Sequence, residues 1–326
     1  VYRPVDYETQ ISYIEERGVY LLKRGSELQF KALTVDENGQ ELLADDAQWV
    51  LDDYSAQYLN VASDGTVSVK LSAPNMMCNV SLFGMADGVA GEVIHIVLAK
   101  EISTVSDFEA IRDNYYGYYV LRNDIDFNYS SGDLALFEPF PVFYGILDGN
   151  GHQLRNIMFD TKSEATDYGM ILHNYGDIRN LTLQTSISFY DSLGKGVRYV
   201  GGITAINSGT LYNCTVSSAK YFYVANENSY VGGLAGLNEG LITESRCYMI
   251  IFGDKYAGGI AGKNTGTVEY CANLRNLFVD EKNDETGVSG IVGDNSGTVT
   301  DSALFAEVYV GLDDFNYSEE HEDIAA

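Results

Sequence analysis

Three aspartates carry the acid chemistry on offer in this sequence. Asp124 and Asp126 flank Ile125, and Asp148 opens Asp148-Gly-Asn-Gly151. Carboxylates grouped on one face can act as a general acid/base pair in glycan cleavage, or gather calcium. The same residues in turns accept hydrogen bonds from backbone amides, and this is the reading the local sequence favours. No Lys or Arg is recognisably placed to serve as the basic partner of a polysaccharide lyase. The histidines, His95, His152, His173 and His321, are scattered. His95 alternates with apolar residues and reads as a strand-wall residue, and His152 is expected to bond a turn carbonyl. Neither a zinc-type H-E-x-x-H nor a nucleophile elbow occurs. Cys78, Cys214, Cys247 and Cys271 form no C-x-x-C pair, so they read as small buried residues. No catalytic residue and no metal site is assigned; calcium on the aspartates is the one cofactor they suggest.

Tyrosine offers the better lead. Tyr199, Tyr230 and Tyr256 recur at equivalent places, and Tyr115-Tyr-Gly-Tyr-Tyr119 and Tyr221-Phe-Tyr223 add clusters. Exposed aromatic rows stack on sugars or meet a protein. Alternatively such a column packs against itself as a ladder.

The elements that hold these residues must be strands. Thirty-three Gly, 25 Tyr and only four Pro accompany abundant Val, Ile and Thr. The 326 residues suggest two domains or one elongated one. With 47 acidic and 20 basic residues, the net charge of −27 argues against nucleic acid and against anionic membrane surfaces. No apolar run approaches the ~20 residues of a membrane-spanning helix, so no membrane insertion is expected.

A repeat dominates the second half. Tyr199-Val-Gly-Gly-Ile-Thr-Ala-Ile-Asn207-Ser-Gly209 is followed by Tyr230-Val-Gly-Gly-Leu-Ala-Gly-Leu-Asn238-Glu-Gly240 and Tyr256-Ala-Gly-Gly-Ile-Ala-Gly-Lys-Asn264-Thr-Gly266. Weaker copies end at Asn174 and Asn295, giving Asn spacings of 33, 31, 26 and 31 residues. Four places before each Asn stands Met170, Ile203, Leu234, Ile260 or Ile291; four places after stands Ile178, Leu211, Ile242, Val268 or Val299. Both columns should face a shared core. Each Asn, with the Gly two places on, fits a turn using left-handed geometry. Stacked Asn side chains can also form an amide ladder. Cys214, Ser245, Cys271 and Ser302 make a column of small residues read as packing. A period near 30 without helical periodicity predicts a parallel β-solenoid, right-handed by the crossover rule. Leucine-rich repeats lack a match, and calcium-binding nonapeptides need a much shorter period.

Gly233-Leu-Ala-Gly236, Gly259-Ile-Ala-Gly262 and Gly290-Ile-Val-Gly293 resemble the GLUG motif, found mainly in bacterial surface and secreted proteins, including adhesins and some immunoglobulin A peptidases. Gly202-Ile-Thr-Ala205 departs at its last position. Upstream, Tyr118-Tyr-Val-Leu with Asp124-Ile-Asp126, then Phe143-Tyr-Gly-Ile-Leu-Asp148-Gly-Asn-Gly-His152, resemble the lead-in that precedes such repeats. Ser106-Asp-Phe-Glu109 reads as a capping box, with a short helix over 107–113 closing the start of the solenoid. Residues 1–100 alternate as strands, with Asn38-Gly39 a hairpin signal and Trp49 in one strand, and resemble a bacterial Ig-like β-sandwich.

The expected architecture is therefore all-β: an Ig-like β-sandwich over 1–100, then a right-handed parallel β-helix over 101–326 with one capping helix. The resemblance implies an extracellular or cell-surface location and an elongated shape; with the tyrosine column, the expectation is a monomeric, non-catalytic protein of adhesin or scaffold type that binds a host or cell-surface glycan or protein through Tyr199, Tyr230 and Tyr256. The rival expectations are a carbohydrate-active β-helix enzyme using Asp124, Asp126 or Asp148, and an accessory segment of a secreted peptidase.

Overall fold

The computed structural model describes residues 2–4, 13–14, 18–44, 46–127, 137–158, 167–185, 188–189, 199–218, 222–224, 229–253, 256–279 and 287–310. The chain divides into two compact units: Val1–Ile102 with Gly117–Val120, and Ser103–Tyr116 with Leu121–Ala326.

Among the described residues of the first unit, two sheets enclose its core. One orders Tyr2–Pro4, Glu27–Val35, Thr66–Val69 and Leu59–Val61, with Glu41–Leu43 added to Glu27–Val35. The other orders Val89–Ala90, Cys78–Ala86, Ile94–Leu98, Val19–Leu22 and Tyr13–Ile14, with Gln48–Leu51 against Cys78–Ala86. Ile94–Leu98 runs parallel to Val19–Leu22. Alternating residues of both sheets, among them Leu28, Phe30 and Val67 from one and Val80, Leu82 and Ile96 from the other, bury a single core. Trp49 packs at its margin, and His95 stands on the exposed face of its strand. Glu101 is buried, and its carboxylate accepts from Arg24 Nη2 at 2.7 Å, Arg24 Nε at 3.2 Å and the Arg24 backbone N–H at 3.0 Å. A carboxylate withdrawn from water is tolerable only when its lone pairs are met in this way.

In the second unit an α-helix spans Val105–Glu109 and continues as a 3-10 turn over Ala110–Asp113. The expected capping box is displaced by two residues. Thr104 Oγ1 accepts from Asp107 N, and the Asp107 carboxylate accepts from Thr104 N. Thr104-Val-Ser-Asp107 satisfies the same spacing rule as Ser106-Asp-Phe-Glu109, and Thr104 has the extended backbone that a cap needs. The helix delivers Phe108 into a ring of Phe127, Phe137 and Phe140, at centroid distances of 5.6, 5.9 and 5.4 Å, all buried. Among the described residues no helix is long and apolar enough to cross a membrane.

Parallel coils follow. One full coil comprises Tyr230–Gly232, Ala235–Asn238, Leu241–Thr243, Arg246–Tyr248 and Ile251–Gly253. Each strand pairs in parallel with its equivalent one coil on, as in Tyr230↔Tyr256, Asn238↔Asn264 and Phe252↔Phe278. The chain is thus mostly strand, and its repeated half is a solenoid-like stack of parallel sheets.

Stacking in register places like on like. Met170, Ile203, Leu234 and Ile260 are fully buried, as are Ile178, Leu211, Ile242 and Val268. Val299, in the last described coil, is 36% exposed. It obeys the same pattern, but no further described coil covers it. The amide ladder is present: Nδ2 of Asn174, Asn207, Asn238 and Asn264 donates to Oδ1 of the next Asn at 2.8, 2.8, 2.8 and 2.9 Å.

The turn assignment needs correction. The ladder asparagines are not left-handed. That geometry falls six places on, at Asn180, Asn213, Glu244, Tyr270 and Asp301, with φ between 47° and 52°. Nor does the Gly two places after each Asn adopt positive φ. Its hydrogen is needed because a methyl on Gly209 would overlap the carbonyl oxygen of Gly176, and one on Gly240 that of Gly209. The glycines of the repeat serve close approach in a second place. A Cβ on Gly232 would strike Ala235, Ala261 and Gly262, and one on Gly262 would strike Tyr230 and Val231. Two neighbouring sheets therefore meet backbone to backbone.

The Cys214–Ser245–Cys271–Ser302 column also does more than pack. Ser245 Oγ accepts from Cys214 N at 3.0 Å and Ser302 Oγ from Cys271 N at 3.1 Å. Burial pushes the thiols of Cys214 and Cys247 up to about 12 and that of Cys271 to about 11.

Two measurements check this account. Asn238→Ala removes an acceptor and two N–H donors that three oxygens share at a buried site, and should cost about 3 kcal/mol. Asn295→Ala, at an exposed position, should cost about 1 kcal/mol or less in the same denaturant titration. With a thiolate fraction on the order of 10⁻⁴ at pH 8, Cys214 and Cys247 should resist a thiol reagent in the native protein and react only on unfolding.

Candidate functional site

The three aspartates do not converge on a common partner. Asp124 Oδ1 accepts from Gln153 N at 3.2 Å and lies 3.3 Å from His152 Nδ1, and Arg155 Nη2 is 3.6 Å from Asp124 Oδ2. Asp126 Oδ1 accepts from Asn156 Nδ2 at 2.8 Å. Asp148 Oδ1 accepts from Asn150 N at 2.7 Å and from Asn180 Nδ2 at 3.2 Å, and Asn180 Oδ1 in turn accepts from Asn213 Nδ2. Asp148 therefore ends a second, outer amide row. His152 meets the Asp124 carboxylate instead of the expected turn carbonyl. The reason is register: Ile125 pairs with Leu154, which brings Asp124 level with His152 and Gln153. Among the described residues, no three His, Cys, Asp or Glu side chains are gathered as a metal ion would require. His321 and Tyr221 lie outside the described residues.

The tyrosine column is a true stack. Tyr199 pairs with Tyr230 and Tyr230 with Tyr256. Their rings lie 5.7 Å apart at 30° and 4.5 Å apart at 12°. All three are half-buried. Lys263 Nζ sits 5.1 Å from the Tyr230 centroid and pairs with Asp294 at 3.1 Å. Burial raises the Tyr230 phenol above its ordinary value, with Lys263 opposing. A ring sandwiched between two others has spent both faces. What Tyr230 can still offer a ligand is its edge and its hydroxyl.

A second stack joins Tyr116, from the Tyr115–Tyr119 cluster, to two tyrosines that the sequence reading did not connect with it. Tyr116, Tyr144 and Tyr175 lie 4.6 and 5.1 Å apart at 4° and 8°, and His173 stacks on Tyr175 at 4.0 Å. The signal was a dipeptide: each tyrosine precedes a glycine, Gly117, Gly145 or Gly176. A hydrogen-bond chain leaves this stack along the same column. Ser208 Oγ donates to Glu239 Oε2 at 2.7 Å, which leaves it to accept from His173 Nε2 at 2.9 Å. His173 Nδ1 then accepts from the Tyr175 hydroxyl at 3.1 Å. A third row, Phe252, Phe278 and Tyr309, stacks at 4.7 and 4.8 Å.

The fold and these rows define a class: a mostly strand chain whose stacked, solenoid-like coils present ladders of like residues. No family model matches the chain. An alignment of 166 residues is 32% identical to Halomucin of Haloquadratum walsbyi; it covers 44% of this chain and 2% of that protein.

Burial holds His173 below its ordinary value of 6.5, against the opposing pull of Glu239 and Asp167. Folding therefore favours the neutral ring. Its contribution to stability is whole above pH 6.5 and declines as pH falls below that value. An NMR titration of the His173 ring should give a midpoint below 6.5.

Proposed function

We propose that this chain is an extracellular or cell-surface protein of adhesin or scaffold type, monomeric and without catalytic chemistry. In this reading the coils are a right-handed β-helix of GLUG type. The two-sheet unit is an Ig-like spacer, and the coil face carrying Tyr199, Tyr230 and Tyr256 meets a glycan or protein. The observation that carries it is the in-register tyrosine row, half-buried on a rigid stack. Rigidity matters because a preorganised row loses little conformational freedom on binding. The likeness to Halomucin supports an extracellular placement. The aspartates weigh against hydrolysis, because each is engaged by turn amides or neighbouring side chains and they share no partner.

The test uses the stack's own chemistry. Changing Tyr199, Tyr230 and Tyr256 together to Phe keeps the rings stacked and deletes only the hydroxyls. Screened on glycan and host-protein arrays, the wild-type chain should bind at least one target, and the triple variant at least tenfold more weakly with an unchanged melting temperature. Equal binding by the two, or turnover of any polysaccharide by the wild type, overturns the reading.

A further inference from the structure

Another face of the coils carries charge and aromatic surface that none of the described residues takes up. Side chains alternate in and out along each strand, and in register they form columns from coil to coil. One outward column runs Arg246, Ala272 and Ala303. Tyr248, Leu274 and Phe305 stand beside it on one flank, aligned by bonds from Leu274 N to Cys247 O and from Phe305 N to Asn273 O. Tyr270 stands on the other flank, two residues before Ala272. Between these columns Cys247, Cys271 and Asn273 point inward and are buried. Tyr248 is 42% exposed, Tyr270 59% and Phe305 69%, and Arg246 is exposed among them. The two alanines lower the middle column. The surface is therefore a shallow trough with a methyl floor, aromatic flanks and a guanidinium at one end.

Two features mark the trough for a ligand. Arg155, Arg179 and Lys263 of the coils pair with Asp124, Asp177 and Asp294, whereas the Arg246 guanidinium has no hydrogen bond or ion pair among the described residues. Tyr270 holds a φ of 52° in the place where two earlier coils carry Asn180 and Asn213. Asn tolerates that geometry better than a bulky ring does, so the exposed ring is kept at a conformational cost. Size and shape then select the occupant. Between outer Cα positions the trough spans about 10 Å along the coil axis and about 13 Å along the strands. A stable protein interface takes about 800 Å² from each partner, several times this area. Ala272–Asn273 is paired on both sides, so no main chain is free for a peptide to pair with. One or two sugar rings fit. A sugar lays its C–H face on aromatic and methyl surface, and a carboxylate at its edge takes two parallel bonds from Arg246. Glu244 and Asp301 border the Tyr270 flank, aligned by Glu244 N to Glu269 O and Tyr270 N to Thr300 O. With the chain at −27 overall, they repel a run of acidic sugars, and a single carboxylate is what Arg246 can match.

We infer that this trough binds a terminal uronic acid residue of an otherwise neutral glycan, with the carboxylate on Arg246. The inference rests on the reading of the chain as a non-catalytic binding protein, but it assigns a site separate from the Tyr199 row.

The probe is cellobiouronic acid, which differs from cellobiose by a carboxylate in place of one hydroxymethyl group. Calorimetry at low salt should show that the uronide binds and that cellobiose binds at least tenfold more weakly. Arg246→Ala should bring the uronide down to the level of cellobiose. Tyr270→Asn, which suits the left-handed backbone, should weaken the uronide at least tenfold while the melting temperature holds or rises. The triple Phe variant of the Tyr199 row should bind as wild type, and circular dichroism confirms that each variant folds. Absence of uronide binding, equal binding of cellobiose, or wild-type affinity in Arg246→Ala overturns the inference, as does binding of sialyllactose or tetraglutamate alone. If the triple Phe variant loses the uronide while Arg246→Ala keeps it, the trough fails and the Tyr199 row stands. If the Tyr199 row binds nothing on the arrays while Arg246→Ala loses the uronide, the trough stands without it.

Discussion

Everything in the repeated half depends on parallel strands lying about 4.8 Å apart, so that each residue faces its own equivalent one coil away. That spacing is a filter on residue type. Ile on Ile packs, and Tyr on Tyr stacks. Asn on Asn is self-complementary, because an amide carries both donor and acceptor. A buried column of like charges would repel itself; Asp177, buried in the coils, pairs with Arg179, and its column continues as Thr210, Leu241, Thr267 and Thr298. Glycine follows from the same rule. Where backbones of neighbouring coils or sheets must touch, as at Gly209 on Gly176, a side chain of any kind is excluded.

Where the filter is broken, the strain is visible. Asn273 occupies a column otherwise filled by Leu183, Val216, Cys247 and Leu304. It is buried, and among the described residues its Nδ2 meets no hydrogen-bond partner. An amide donor left unmet in an apolar column works against the stability that its neighbours provide.

Much of this was legible in the sequence because the repeat is a direct image of the register. The ladder asparagines, the two apolar columns and the Tyr199 row are each visible as a fixed offset within the repeat. What escaped was set by three-dimensional detail. The left-handed residue is Asn in two coils but Glu, Tyr or Asp in the others, so its column has no common side chain to notice. His152 found Asp124 through a pairing between coils that differ in sequence. Tyr116, Tyr144 and Tyr175 lie partly upstream of the clear repeats; Tyr116 stood out only as part of a tyrosine cluster, and the Tyr-Gly dipeptide is what links the three.

The pairing of each coil with the next has a mechanical meaning. A load applied along the polypeptide that frees one coil breaks its bonds to a neighbour while the other coils keep theirs. Each coil of 31 residues, such as that from Asn264 to Asn295, would release roughly 100 Å of contour. Such a stack yields in steps under tension, shedding length while the coils behind it keep their shape.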